Sequence, residues 1–99
     1  MNMQQMLAQA QKMQRELQKA MNELKEKEFV INKNGMVVVT VTGNKEVKSI
    51  DINNDAMDVD NKDMVQESIV LALNEAFAKI DAEAEAINER ITGRAGGLF

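Results

Sequence analysis

Met3 to Leu24 reads MQQMLAQAQKMQRELQKAMNEL. Apolar residues fall at Met3, Met6, Ala10, Met13, Leu17, Ala20 and Leu24, in steps that alternate three and four. That is a strict heptad repeat. The stretch holds no proline, glycine or β-branched residue, and Ala, Leu, Met, Gln, Lys and Glu favour helix. The spacing predicts a helix over about residues 3–26, whose heptad stretch alone runs about 33 Å. Its apolar seam must be buried, and heptads favour a helical partner.

With Met3 at heptad position a, the outward positions b, c and f hold Gln4, Gln5, Ala8, Gln11, Lys12, Arg15, Gln18, Lys19, Asn22, Lys25 and Glu26. Glu16 and Glu23 fall at g, beside the seam. The seam is apolar, its flank acidic and its back basic and amide-rich. A face of that kind is either solvated or set against a polyanion.

The period changes at Glu28. Phe29-Val30-Ile31 starts a strand over about 28–32, and Asn34-Gly35 ahead of a β-rich run predicts a hairpin. Met36 to Thr42, MVVVTVT, is the second strand. Gly43-Asn44-Lys45 is a turn, and Glu46 to Asn53, EVKSIDIN, is the third strand. Three strands on short turns make an antiparallel meander. The acidic connection from Asn53 to Asp63 offers Asp51, Asn53 and Asp55 at the spacing of a calcium loop. That pattern then fails, with Ala56 at the glycine position and Lys62 at the bidentate glutamate position. Asp58, Asp60 and Asn61 are better read as helix caps. A second helix is expected over about 61–92, with its stripe at Val65, Ile69, Ala72, Leu73, Ala76, Ile80, Ala84, Ile87 and Ile91. Past Asp81 its exposed face turns acidic, with Glu83, Glu85 and Glu89. Gly93 stops it, and 93–99 is expected to be a mobile tail whose Leu98-Phe99 could dock in an apolar groove.

The composition removes several function classes. The 99 residues make one domain, with no Cys and no His, so thiolate chemistry, disulfides and the commonest general base are absent. The two serines, Ser49 and Ser68, lie in a strand and a helix without a nucleophile context. An enzyme is not expected, nor a cofactor or a metal. No apolar run approaches the roughly 20 residues of a membrane span, and the opening residues do not form a secretion signal. No membrane association is implied, and a cytoplasmic location follows. The net charge is −4, but residues 1–25 carry +2, leaving −6 for the rest.

Between Ile69 and Leu73 the second helix is apolar all round, IVLAL, and a three-stranded sheet covers only one side. A homodimer is therefore expected, with Met6, Met13, Leu17, Ile69, Val70, Leu71 and Leu73 as candidates for its interface.

The ordered set of elements resembles the YbaB/EbfC family of nucleoid-associated DNA-binding proteins. The resemblance rests on the Gln- and Met-rich Met6–Gln18 stretch MLAQAQKMQRELQ, on GMVVVTVTGN from Gly35 to Asn44, on EVKSIDI from Glu46 to Ile52, on Ala72-Leu73-Asn74-Glu75-Ala76 and on Gly97-Leu98-Phe99. It covers nearly the whole chain. It implies an α+β protomer of order α-β-β-β-α, an entwined homodimer, double-stranded DNA bound with little sequence preference, a place in the bacterial nucleoid, and a link to recombination and repair proteins. Combined with the charge pattern, it makes Lys12, Arg15, Lys19 and Lys25 the expected phosphate contacts, with Arg90 and Arg94 adding charge. The alternative is a prefoldin-like chaperone or protein-interaction adaptor, which the methionine content favours.

Overall fold

A computed structural model of the chain describes residues 2–93. The expected tail beyond Gly93, with Arg94, Leu98 and Phe99, lies outside them. The first helix, α1, spans Met3–Glu26. It opens on a capping box: the Asn2 side chain accepts from the Gln5 backbone N–H at 2.8 Å, and the Gln5 side chain accepts from the Asn2 N–H at 3.4 Å. It ends where Lys27 turns extended, at φ −69° and ψ 139°.

Three strands follow in spatial order β1 (Glu28–Lys33), β2 (Val37–Thr42) and β3 (Val47–Ile52), both pairs antiparallel. The β1–β2 turn is the Asn-Gly turn expected, with Asn34 at φ 57° and Gly35 at φ 67°. Strand alternation puts Phe29, Ile31, Val37, Val39 and Val41 on one buried face. Cross-strand rows Phe29–Val41–Val47 and Ile31–Val39–Ile50 run across that face. The second helix, α2 (Lys62–Thr92), lies on it over β1 and β2. Ala72 and Ala76 have no exposed surface, and neither do Val39 and Val41. Two methyl side chains on successive turns let the helix sit close against the valines. Ser68 is 1% exposed and accepts a hydrogen bond from the Asn34 side-chain amide at 3.0 Å, tying the hairpin tip to α2.

The capping expectation needs correcting. The connection folds into two single 3-10 turns, Asn54–Ala56 and Val59–Asn61, and the side chains of Asn53 and Asp58 cap those turns. Asn61 stands before α2 but makes no side-chain cap. Local Asx bonds two residues on won over a cap on the long helix.

The carboxyl half of α2 runs past the sheet and pairs with α1. Lys27 bonds Glu83 at 2.7 Å, and Ala20 and Leu24 share a hollow with Ile87 and Arg90, so the two helices are antiparallel. The helical partner that the heptads call for is thus partly the chain's own α2. Burial along the α1 seam tapers: Leu24 is 4% exposed and Met13 8%, but Met6 is 43% and Met3 84%. The radius of gyration is 19.6 Å, against about 13 Å for a compact domain of this length. The molecule is a rod with a sheet at one end and a two-helix arm at the other, 69 × 20 × 14 Å.

Gly43 joins the two ends. Its N–H donates to the Lys27 carbonyl at 2.8 Å, and a Cβ there would fall inside the Leu24 backbone carbonyl. Gly43→Ala should therefore push the β2–β3 turn off the end of α1. Overpacking against backbone costs about 1–3 kcal/mol or more. Thermal unfolding followed by circular dichroism should show the midpoint falling by at least about 5 °C.

Candidate nucleic-acid interface

Lys12, Arg15 and Lys19 recur at i, i+3 and i+7 along α1. At 3.6 residues per turn they fall within an arc of about 60° and span about 10 Å of helix axis. All three are exposed, on the side away from Met13, Leu17 and Leu24, which pack into the core. Gln18 donates from its side-chain amide to Asn22 at 3.2 Å, and both line a shallow hollow with Arg15, Lys19, Glu23 and Glu26. The face is thus a row of cations edged by amides, with an acid at its sheet end.

The other expected site residues separate from this row. Lys25 turns to the flank facing the β2–β3 turn and shares a hollow with Gly43, Asn44, Lys45 and Asp81. Arg90 lies across the groove between the helices, in the hollow with Glu23, Lys27 and Glu83. Arg94 lies outside the described residues. Glu83, expected on the exposed acidic face of α2, instead turns to Lys27.

Four lysines are paired with acids. Lys27 meets Glu83, Lys33 meets Glu75 at 3.3 Å, Lys45 meets Asp81 at 2.6 Å and Lys48 meets Glu28 at 3.2 Å. The four lysines in those pairs are locally neutralised, whereas Lys12, Arg15 and Lys19, like Lys25, Lys62, Lys79 and Arg90, have no ion pair among the described residues. What sets the first three apart is that they share one face of α1. The calcium-like spacing leads elsewhere too: the Asn53 side chain accepts from Asp55 and donates to the Gly35 carbonyl. Among the described residues no cluster of three acidic, His or Cys side chains could hold a metal ion.

Comparison with known proteins matches the description "YbaB/EbfC DNA-binding family" over residues 1–95. The chain belongs to that family. It is 43% identical to a nucleoid-associated protein of Enterococcus faecalis, over 86% of this chain and 83% of that one. It is also 43% identical to a nucleoid-associated protein of Mycoplasmopsis pulmonis, over 92% and 90%. A third nucleoid-associated protein, from Ruminiclostridium cellulolyticum, is 39% identical over 98% and 85%. The crystal structure of a Helicobacter pylori protein described as uncharacterized superposes with a TM-score of 0.73, covering 93% of this chain and 98% of that one. At 18% identity it shows the shared fold alone. No helix among the described residues is long and apolar enough to cross a membrane.

The open apolar surface on the sheet was not legible in the sequence. A register shift between Thr40 and Val41 sets Val47 opposite Val41 and Ile50 opposite Val39, yet α2 stops short of β3, and they stay 42% and 43% exposed. Of the residues expected at a subunit interface, Met13 is buried within the protomer, and Leu17, Ile69 and Leu73 pack against its core. Met6, Val70 and Leu71 remain open at 43%, 56% and 46%.

Because Lys12, Arg15 and Lys19 hold no ion pair among the described residues, removing them should leave the fold alone. The triple variant Lys12→Ala, Arg15→Ala, Lys19→Ala should unfold within about 1 kcal/mol of the parent in a urea titration, since isolated surface charges contribute little.

Proposed function

We propose that the protein is a nucleoid-associated protein that binds double-stranded DNA as a homodimer, through phosphates, with little sequence preference. The row Lys12, Arg15 and Lys19 on one exposed face of α1, without an ion pair among the described residues, carries this reading. Three cations per protomer, at a fixed spacing on a rigid rod, suit a backbone polyanion. The amides of Gln11, Gln18 and Asn22 add hydrogen bonds to phosphate or sugar. Few side chains on the arm suit base readout, which favours low specificity. Location at the nucleoid follows from such binding.

The proposed dimer contact is at the sheet end, and exposed apolar side chains there support it. Val47 and Ile50 on β3, Met57 and Val59 in the connection, and Val70 and Leu71 on α2 are all at least 42% exposed. Ile52, Met57, Val59, Val65 and Ile69 line one apolar groove between β3 and α2. Open apolar surface of that extent marks an interface, and a second copy of the same surface closes it with two-fold symmetry. Joining two protomers there leaves both arms free.

Neutralising about six phosphates per dimer predicts a log–log salt slope near −5, so binding should weaken steeply between dilute and physiological salt. A gel-shift titration at two salt concentrations, with random duplex as competitor, measures both slope and specificity. The Lys12→Glu, Arg15→Glu pair should keep the dimer and lose the shift; binding equal to the parent would place DNA on another surface. Suppression of client aggregation without any DNA shift would select the chaperone reading instead. Co-purification with recombination proteins that survives nuclease would add a protein partner; loss on nuclease treatment would make DNA the bridge.

Ile50→Glu with Val70→Glu should produce a folded monomer, seen as half the mass by light scattering, because both side chains lie at the open surface rather than in the core. A dimer that survives both changes would put the subunit contact elsewhere.

A further inference from the structure

The turn between β1 and β2 carries a reactive pair of residues that the DNA reading does not use. Asn34 is the one asparagine of the chain that is followed by glycine. Both residues are exposed, and both have positive φ, 57° and 67°. The turn closes through the Met36 N–H, which donates to the Lys33 carbonyl at 3.0 Å. The Gly35 N–H donates to no acceptor among the described residues. A Cβ on Gly35 would meet nothing within 4 Å, so the space beside this residue is open.

An amide side chain next to such a backbone nitrogen can react with it. The Gly35 nitrogen gives its proton to solvent and bonds to Cγ of Asn34. The Cγ–Nδ2 bond breaks, ammonia leaves, and a cyclic imide closes. Water then opens the imide at either of its carbonyls. One opening gives aspartate. The other gives isoaspartate, whose main chain runs through Cβ and is longer by that carbon. No oxidant or reductant takes part.

One contact stands against the first step. Nδ2 of Asn34, the leaving group, donates to Oγ of Ser68 at 3.0 Å. Ser68 is 1% exposed and lies within α2, so this partner is held in place by the helix. Bringing Cγ onto the Gly35 nitrogen rotates the carboxamide and takes Nδ2 off Ser68. On the other side the Asn53 side-chain amide donates to the Gly35 carbonyl at 3.3 Å and restrains the turn from the connection.

We propose that Asn34 is a site of spontaneous deamidation, and that Ser68 sets its rate by holding the carboxamide away from the Gly35 nitrogen. The buried serine is then a brake as well as a tie. Each conversion adds a negative charge at the hairpin tip. The isoaspartyl form also lengthens the turn and releases it from α2. This inference rests on the turn and its two tethers, not on DNA binding or subunit contact, so it stands or falls separately from the proposed function.

The test incubates the full chain and its Ser68→Ala variant in mildly alkaline buffer at physiological temperature, with peptide mapping by mass spectrometry over time. Asn34 should gain the mass of the amide-to-acid change, as a mixture of aspartate and isoaspartate. Asn44, also exposed in a turn but followed by lysine, should lag well behind it. Ser68→Ala should convert Asn34 about fivefold faster, the factor that one hydrogen bond of ordinary strength supplies. Ser68→Cys keeps the volume with a weaker acceptor and should fall between the two. Circular dichroism checks that each variant is folded. In urea all the chains should convert at one common rate, above that of the folded parent, because the brake exists only in the folded state. Equal rates in folded parent and folded variants overturn the role of Ser68. Aspartate without isoaspartate, or conversion at Asn44 as fast as at Asn34, overturns the attack by Gly35.

Discussion

A six-residue strand reaches about 20 Å and a 31-residue helix about 46 Å. That mismatch shapes the molecule. The sheet can bury the amino half of α2, where Ala72 and Ala76 sit on Val39 and Val41, and no more. Ile87 and Ile91, on the half that overruns, are 8% and 3% exposed because α1 comes back along them. The arm is therefore what the fold needs to bury the rest of its longest helix. Once α1 is committed to that seam, its opposite face points to solvent along its whole length. Gly43 holds the joint, since only a residue without a Cβ lets the β2–β3 turn lie against the Leu24 carbonyl.

The same geometry explains how a chain of net charge −4 can offer a cationic surface. Glu75, Asp81 and Glu83 of α2 are paired with lysines of the sheet end, so their fields are largely local. Glu85 and Glu89 are exposed on the side of α2 away from the buried Ile87 and Ile91, which pack towards α1. They are separated from the α1 cations by the thickness of two helices, about 20 Å. At 0.1 M ionic strength the Debye length is about 10 Å, so a phosphate on the α1 face senses those acids weakly. Whole-chain charge is a poor guide to partners when opposite charges occupy opposite edges of a rod.

The elements were legible in the sequence because their causes are local. Heptad spacing, the Asn34-Gly35 pair and valine alternation each fix a short stretch of backbone, and the strands and helices fall where those patterns put them. What escaped depends on where one element stops against another. The heptad positions give Lys12, Arg15, Lys19 and Lys25 one outward face, but at 3.6 residues per turn Lys25 falls about 120° from Lys19, and the docked β2–β3 turn lies beside it. Alternation puts Ile50 and Ile52 on one face of β3, but only the register shift at Thr40/Val41 brings Val47 there too, and the reach of α2 leaves Val47 and Ile50 open. The Asn2–Gln5 capping box was readable from spacing alone, and marks the helix start more sharply than the heptad did.

β3 is where the protomer is unfinished. It is an edge strand with its inward residues half exposed, and edges of that kind are normally covered, charged or bent away. Lys48 and Glu28 pair across the outer face, so the charge lies on the side that needs no protection. A second copy against the inner side of β3 would cover the exposed Val47 and Ile50. Lys19 and Lys12 stand about 8 and 18 Å along α1 from the Leu24 level where the turn docks. In the proposed dimer, subunit contact on β3 and phosphate contact on α1 would lie on different elements, and neither would have to yield for the other to form. On that proposal, two stiff arms joined through β3 would close on a duplex from two sides and give three weak contacts per arm the combined affinity of six.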